Sequence, residues 1–213
     1  MGFTSQRTRT RMVQRLLDRG ITNEAVLQAM NNVPRHLFVD EAIASRAYED
    51  VALPIGEAQT ISQPYVVARM SELMLETSSV RHVLEVGTGS GYQAAILSKL
   101  VESVFTVERI RSLYDKARIR FRSLQYNNIN AKYSDGGWGW SNHGPYDAIM
   151  VTAAPRAVPE PLLEQLALGG RMIVPIGDQA GNQSLTVITR TSDGCVYESQ
   201  SNVKFVPLMS GKS

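Results

Sequence analysis

Gly87, Gly89 and Gly91 recur at every second position inside Leu84-Glu85-Val86-Gly87-Thr88-Gly89-Ser90-Gly91-Tyr92. Strand-like apolar residues precede them and a helical pattern follows. Glycine belongs where a backbone turns sharply and a ligand must approach with no Cβ in the way. A glycine-rich turn from a strand into a helix N-terminus is how α/β folds hold nucleotide-like cofactors. The dinucleotide fingerprint G-x-G-x-x-G would need its third glycine where Tyr92 stands, so NAD is disfavoured. No G-x-x-x-x-G-K-[ST] loop is present to bind ATP by that route.

Further groups fall where such a cofactor needs them. Glu108 lies 21 residues after Gly87, where a carboxylate can accept both hydroxyls of a ribose. Asp135-Gly136 follows the next strand-like run, where a carboxylate can take a hydrogen bond from an adenine amino group. Thr152-Ala153-Ala154-Pro155 closes another. Each alone reads as an ordinary turn or strand end. In this order they point to an adenosine-containing cofactor. S-adenosyl-L-methionine carries no phosphates, and the glycine-turn backbone can pass close to its amino-acid tail. Glu85 would place negative charge near its sulfonium. The expected chemistry is methyl transfer.

These residues converge only if each ends a strand of one sheet, because parallel α/β sheets bind ligands beyond the carboxyl ends of their strands. Strand patterns fall at 81–86, 103–108, 129–133, 146–152 and 171–176. Helical patterns fall at 91–100, 110–124 and 159–167. This alternation predicts a Rossmann-like, doubly wound, mostly parallel α/β sheet with helices on both faces. Runs at 185–190, 196–200 and 203–206 have no helices between them and read as antiparallel strands completing the sheet. Residues 5–32 read as a helical extension broken at Gly20, with Asn23 capping its second half. After Pro64, Val66, Met70, Leu73 and Met74 mark a buried helix face, with Ser62 or Gln63 near its cap. One domain is expected over 1–213: an N-terminal segment 1–78, a cofactor-binding core 79–178 and C-terminal strands 179–213.

Composition excludes several classes. The 213 residues are 43% hydrophobic and 20% charged, ordinary for a globular chain, with a formal charge of +2. No basic tract is interleaved with aromatics, so a nucleic-acid partner is not expected. Arg11, Arg15 and Arg19 share one helix face and read as a solvated surface. The single cysteine, Cys195, precludes an internal disulfide and reads as a small apolar residue. His36, His82 and His143 are too dispersed for a local metal motif. No membrane-length apolar run and no signal-peptide pattern occur, so a cytoplasmic protein is expected, without membrane contact. No apolar stripe is left unexplained, which makes a monomer the default. Trp138 and Trp140 could stack on adenine, but surface packing is the simpler reading.

Glu85-Val-Gly-Thr-Gly-Ser-Gly91, Val107-Glu108-Arg109 and Asp135-Gly136 resemble the class I methyltransferase motifs. More narrowly, Leu53-Pro54-Ile55-Gly56, Thr60-Ile61-Ser62-Gln63-Pro64, Val151–Pro155 and Phe205-Val206-Pro207-Leu208 resemble the protein-L-isoaspartate (D-aspartate) O-methyltransferase family. The resemblance runs from about Arg11 to Leu208. It implies methylation of the misplaced carboxyl of isoaspartyl residues in damaged proteins, the ester then collapsing to a succinimide. It further implies Ser62 as the active-site hydroxyl. Ile61, Glu85, Gly87, Gly89, Ser90, Gly91, Glu108, Arg109, Asp135 and Gly136 would be cofactor contacts. Ile55, Gly56, Thr60, Gln63, Val206 and Pro207 would line the peptide site. Ser134 stands where the family more often has glycine, which touches the geometry of the adenine turn. A carboxylate with a pKa near 4 is already ionised at neutral pH, so the absence of a His–Asp dyad fits such an acceptor. The task is to exclude water and to align oxygen, methyl and sulfur.

Overall fold

The computed structural model describes residues 6–76, 79–178 and 182–213. Two N-terminal helices, α1 (Gln6–Asp18) and α2 (Glu24–Asn32), are separated at Gly20, whose φ of 90° suits glycine. Asn23 caps α2 by accepting the Val26 N–H at 3.2 Å, as expected. Two 3-10 turns, Arg35–Phe38 and Glu41–Arg46, lead to a hairpin of β1 (Leu53–Gly56) and β2 (Gln59–Ile61), followed by α3 (Pro64–Leu75). Pro64 opens α3 and Gln63 is its N-cap, but no side chain closes a capping hydrogen bond. The capping role considered for Ser62 is therefore not used.

The core alternates as its pattern predicted: β3 (His82–Val86), α4 (Tyr92–Leu97), β4 (Ser103–Glu108), α5 (Arg111–Ser123), β5 (Ile129–Tyr133), β6 (Tyr146–Val151), α6 (Glu160–Glu164), β7 (Leu166–Ile176), β8 (Gln183–Thr191) and β9 (Gly194–Val203). The seven strands lie in the order β5-β4-β3-β6-β7-β8-β9. β5, β4, β3, β6 and β7 are parallel, and β8 and β9 add antiparallel at one edge. The chain moves outward from β3 to β5, then returns to lay β6 on the other side of β3. That reversal is the switch point at which such sheets bind ligands.

Period-two alternation sends successive side chains to opposite faces. Val83, Val104, Ala148, Met150 and Ile173 join one buried cluster, with Ala117 and Phe121 of α5 and the residues of α3 and α4. Leu84, Val86, Val107, Ile149, Val151 and Met172 join a second, over α6. Glu85 lies between Leu84 and Val86, so the strand places its carboxyl on the face of Val83.

Three boundaries differ from the expectation. The helix expected over 159–167 spans only Glu160–Glu164, because Leu166 already pairs with Tyr146 at the start of β7. The helix expected over 91–100 is Tyr92–Leu97. No separate strand forms at 203–206. β9 ends at Val203, opposite Gln183, and the Gln183 side chain takes over as partner. It accepts the Phe205 N–H at 2.6 Å and donates to the Phe205 carbonyl at 3.0 Å. Residues 204–206 thereby leave the sheet and turn toward Ala154, which bridges Pro207. Among the described residues no helix is long and apolar enough to cross a membrane.

Candidate functional site

The glycine turn follows β3 and is tied to β4 by the Gly87 and Thr88 N–H groups, which donate to the Val107 carbonyl at 2.9 and 3.2 Å. Gly87 has φ 100°, and a Cβ there would come within 2.5 Å of Thr152 Oγ1. At Gly91, with φ 87°, a Cβ would meet the Phe121 ring at 2.6 Å. Both positions therefore require glycine, the first beside the cavity and the second for packing of α4 against α5.

Glu108 ends β4 and is 5% exposed. One carboxylate oxygen accepts the Gly89 N–H at 2.8 Å and the other the Ile110 N–H at 2.9 Å. The carboxylate is thus held by the turn on one side and by the start of α5 on the other. Each oxygen has a second lone pair for a hydroxyl donor.

Glu85 differs from its expected role. It is fully buried, and desolvation pushes its carboxyl up to about 8, so at neutral pH it is predominantly a neutral acid rather than an anion. One oxygen accepts from Thr106 Oγ1 at 2.5 Å, and Thr106 Oγ1 lies 2.6 Å from Thr88 Oγ1. The other, Oε1, has no hydrogen-bond partner among the described residues. The chain of hydroxyls locks β3, β4 and the turn together, while Glu85 also borders the cavity.

Asp135 caps a short 3-10 turn by accepting the Gly137 N–H at 2.8 Å. Its second oxygen accepts the Gly211 N–H at 2.6 Å. Arg109 Nε donates to the Gly211 carbonyl at 2.9 Å, and the Ser213 N–H donates to the Arg109 carbonyl at 2.8 Å. Residues 209–213 are thereby strapped over this end of the site. This contribution was missed, since nothing local in Met209–Ser213 marks it. Gly136 borders the main cavity, whereas Asp135 borders an adjoining hollow with Trp138, which is 69% exposed. Trp140 packs edge-on against Phe105 and His143, and so has the packing role.

The cavity beyond the strand ends is bordered by Gly87, Gly89, Ser90, Glu108, Arg109 and Ile61, all expected there. Gly91 is not on its wall. A second hollow, a groove toward β8 and β9, is bordered by Gln63, Tyr65, Phe205 and Lys204. Thr60, Ser62, Thr152 and Val206 border both, so the two meet at these four residues. Pro207 lies on the cavity side. Ile55 and Gly56 are not brought to this junction. They line a separate hollow behind Gly89 and Ser90, beside Phe38 and Lys116. The Ser62 hydroxyl makes no hydrogen bond among the described residues, and its carbonyl accepts from Arg35 at 2.7 Å. Among the described residues no group of three His, Cys, Asp or Glu could hold a metal ion.

The arginines expected as a solvated face are partly engaged. Arg15 donates to the Tyr48 carbonyl, and Arg19 pairs with Asp50 while lying 3.6 Å above the Tyr65 ring. Cys195 is half-buried against the second core cluster, in keeping with an apolar role.

The family described as Protein-L-isoaspartate(D-aspartate) O-methyltransferase (PCMT) matches residues 7–213. Protein-L-isoaspartate O-methyltransferase of Hahella chejuensis is 57% identical over 209 residues, covering 98% of this chain and 99% of the relative. Protein-L-isoaspartate O-methyltransferase 1 of Nitrosococcus oceani is 56% identical over 211 residues, covering 98% and 99%. A solved protein-L-isoaspartate O-methyltransferase superposes with a TM-score of 0.86 at 29% identity, over 93% of this chain and 65% of that one. A Plasmodium falciparum structure described as the same enzyme, in complex with S-adenosyl-L-homocysteine, gives 0.81 at 25% identity over 94% and 98%. With a family match over nearly every residue and relatives identical at more than half their positions, this chain belongs to the protein-L-isoaspartate (D-aspartate) O-methyltransferase family.

Proposed function

We propose that this chain transfers the methyl group of S-adenosyl-L-methionine to the free carboxylate of L-isoaspartyl, and D-aspartyl, residues in damaged peptides and proteins. The observation that carries the reading is the junction at Thr60, Ser62, Thr152 and Val206, where the cavity beyond the strand ends meets the groove toward β8 and β9. The cavity fits the cofactor: a Cβ on Gly87 would crowd its wall, the Glu108 carboxylate keeps acceptor capacity, and an unpaired buried oxygen of Glu85 lies at its edge. When bound, the cofactor supplies an electrophilic methyl.

The residues of the chain bind and align. Glu108 receives the ribose, Gly136 lets the Val86 side chain pack against the cavity wall, and Asp135 shapes that end through the Gly137 and Gly211 backbone. Ser62 donates a hydrogen bond that orients the acceptor carboxylate at the junction. No general base is needed, because the acceptor is already an anion at neutral pH. What remains is proximity and exclusion of water at the junction. The product ester cyclises to a succinimide, and the chain thereby initiates repair. We assign the protein to the cytoplasm as a monomer with no nucleic-acid partner, in keeping with its near-neutral charge.

The test is incubation with methyl-labelled cofactor and an isoaspartyl peptide, followed by mild base. The reading expects label on the peptide that base releases as methanol. Base-stable label, or label only on an added RNA, would defeat it.

A further inference from the structure

Arg35 is 0% exposed, yet no carboxylate among the described residues lies within ion-pair distance of it. Its Nε donates to the Ala47 carbonyl and its Nη2 to the Ser62 carbonyl, each at 2.7 Å. The guanidinium carbon lies 4.8 Å from the centre of the Tyr92 ring, and among the described residues Nη1 closes no hydrogen bond. Asp50, whose charge reaches it, is paired with Arg19 instead. A buried cation held only by carbonyls and a ring is a costly way to join two loops. A planar fork fixes two acceptors at once, and neither a lysine nor an apolar residue can do that.

The places it joins give the reason. Ser62 carries the hydroxyl at the junction of cavity and groove. Tyr92 opens α4 directly after the glycine turn and is itself fixed, edge-on to Phe38 at 5.4 Å and with its hydroxyl on Met30 sulfur at 3.7 Å. We infer that Arg35 is a positioning residue, which ties the Ser62 backbone to Ala47 and to the Tyr92 ring and so holds the acceptor-side hydroxyl in register with the methyl-donor turn. The inference rests on the proposed function and deepens it. Methyl transfer needs the reacting atoms in line, and a displacement of about 1 Å costs on the order of a hundredfold in rate.

The test is a double-mutant cycle on the full chain with Arg35→Lys and Ser62→Ala. It is read as kcat and KM for an isoaspartyl peptide, with cofactor Kd by calorimetry. Arg35→Lys keeps the charge but cannot span both carbonyls. The expected result is a loss in kcat of about tenfold or more with cofactor Kd within about twofold, and no further loss beyond about twofold when it is added to Ser62→Ala. A purely structural role would lower activity and cofactor binding together, or add its loss to that of Ser62→Ala. Either result, or an unchanged kcat, overturns the inference. If Arg35→Lys does not fold, Arg35→Gln, which can reach one carbonyl, is put through the same cycle under the same criteria. Failure of the unaltered chain to methylate the isoaspartyl peptide would instead overturn the proposed function, and the inference with it.

Discussion

On the proposed function Ser62 serves the acceptor and Glu108 the cofactor, so their substitutions should separate in kinetics. Ser62 borders both cavity and groove and caps no helix, so Ser62→Ala should lower kcat by about tenfold or more while cofactor affinity holds. A fall in affinity with kcat intact would place the hydroxyl on the wrong substrate. Glu108 is held by two backbone N–H groups, and its remaining acceptor capacity faces the cavity. Glu108→Ala should weaken cofactor binding by about 1–3 kcal/mol, the scale of a lost charged hydrogen bond, measurable by calorimetry. Glu85 makes a different prediction. Its carboxyl is raised from 4.5 to about 8 on folding, so the folded chain holds a proton that the unfolded chain releases. The stability it contributes is complete below about 4.5 and is lost as pH rises through about 8. Glu85→Gln should therefore gain stability relative to the unaltered chain as denaturation is measured from acid to mildly alkaline pH. Parallel pH–stability curves would show that the carboxyl is not neutral in the folded chain. This charge state was hidden in the sequence, because the groups around Glu85 are Thr106 and Glu108 of the adjacent β4 and Ala94 of α4 rather than its sequence neighbours.

At the scale of elements, the helix start at Tyr92 depends on the absence of a side chain at Gly91. A Cβ there would lie 2.6 Å from the Phe121 ring on a backbone with φ 87°. Gly91→Ala should cost about 2–4 kcal/mol of stability through combined overpacking and backbone strain, read as an earlier denaturant midpoint with little change in m. The parallel strands were legible because each couples an apolar run to a turn residue at its carboxyl end: Val86 to Gly87, Tyr133 to Asp135, Val151 to Thr152. The β1–β2 hairpin was not legible. Its turn uses Glu57 and Ala58 at φ 53° and 54°, residues with no preference for that region. The turn is held from outside, where Ser112 Oγ donates to Glu57 at 2.6 Å. The stray strand at 203–206 failed for a related reason: Gln183, 22 residues away, captures the Phe205 backbone with its side chain. Local pattern reports what a segment prefers, and at Phe205 a distant side chain decided the outcome.

At the scale of the molecule, spacing alone located the sheet edge at which Gly87, Gly89, Ser90 and Glu108 border one cavity, since that edge collects the strand ends. The acceptor half brings Thr60 and Ser62, neighbours in sequence, against the distant Val206, and only the fold joins the two segments. Ile55 and Gly56 show the limit of carrying a motif over as a block, since the hairpin turns them to another hollow. The central claim is that this junction selects a carboxylate one methylene out of place. Labelled methyl transfer to an isoaspartyl peptide and to its normal aspartyl twin, side by side, tests that most directly. The account predicts base-labile methyl ester on the isoaspartyl peptide and none above background on the twin; equal labelling of the two, or labelling of neither, would contradict it.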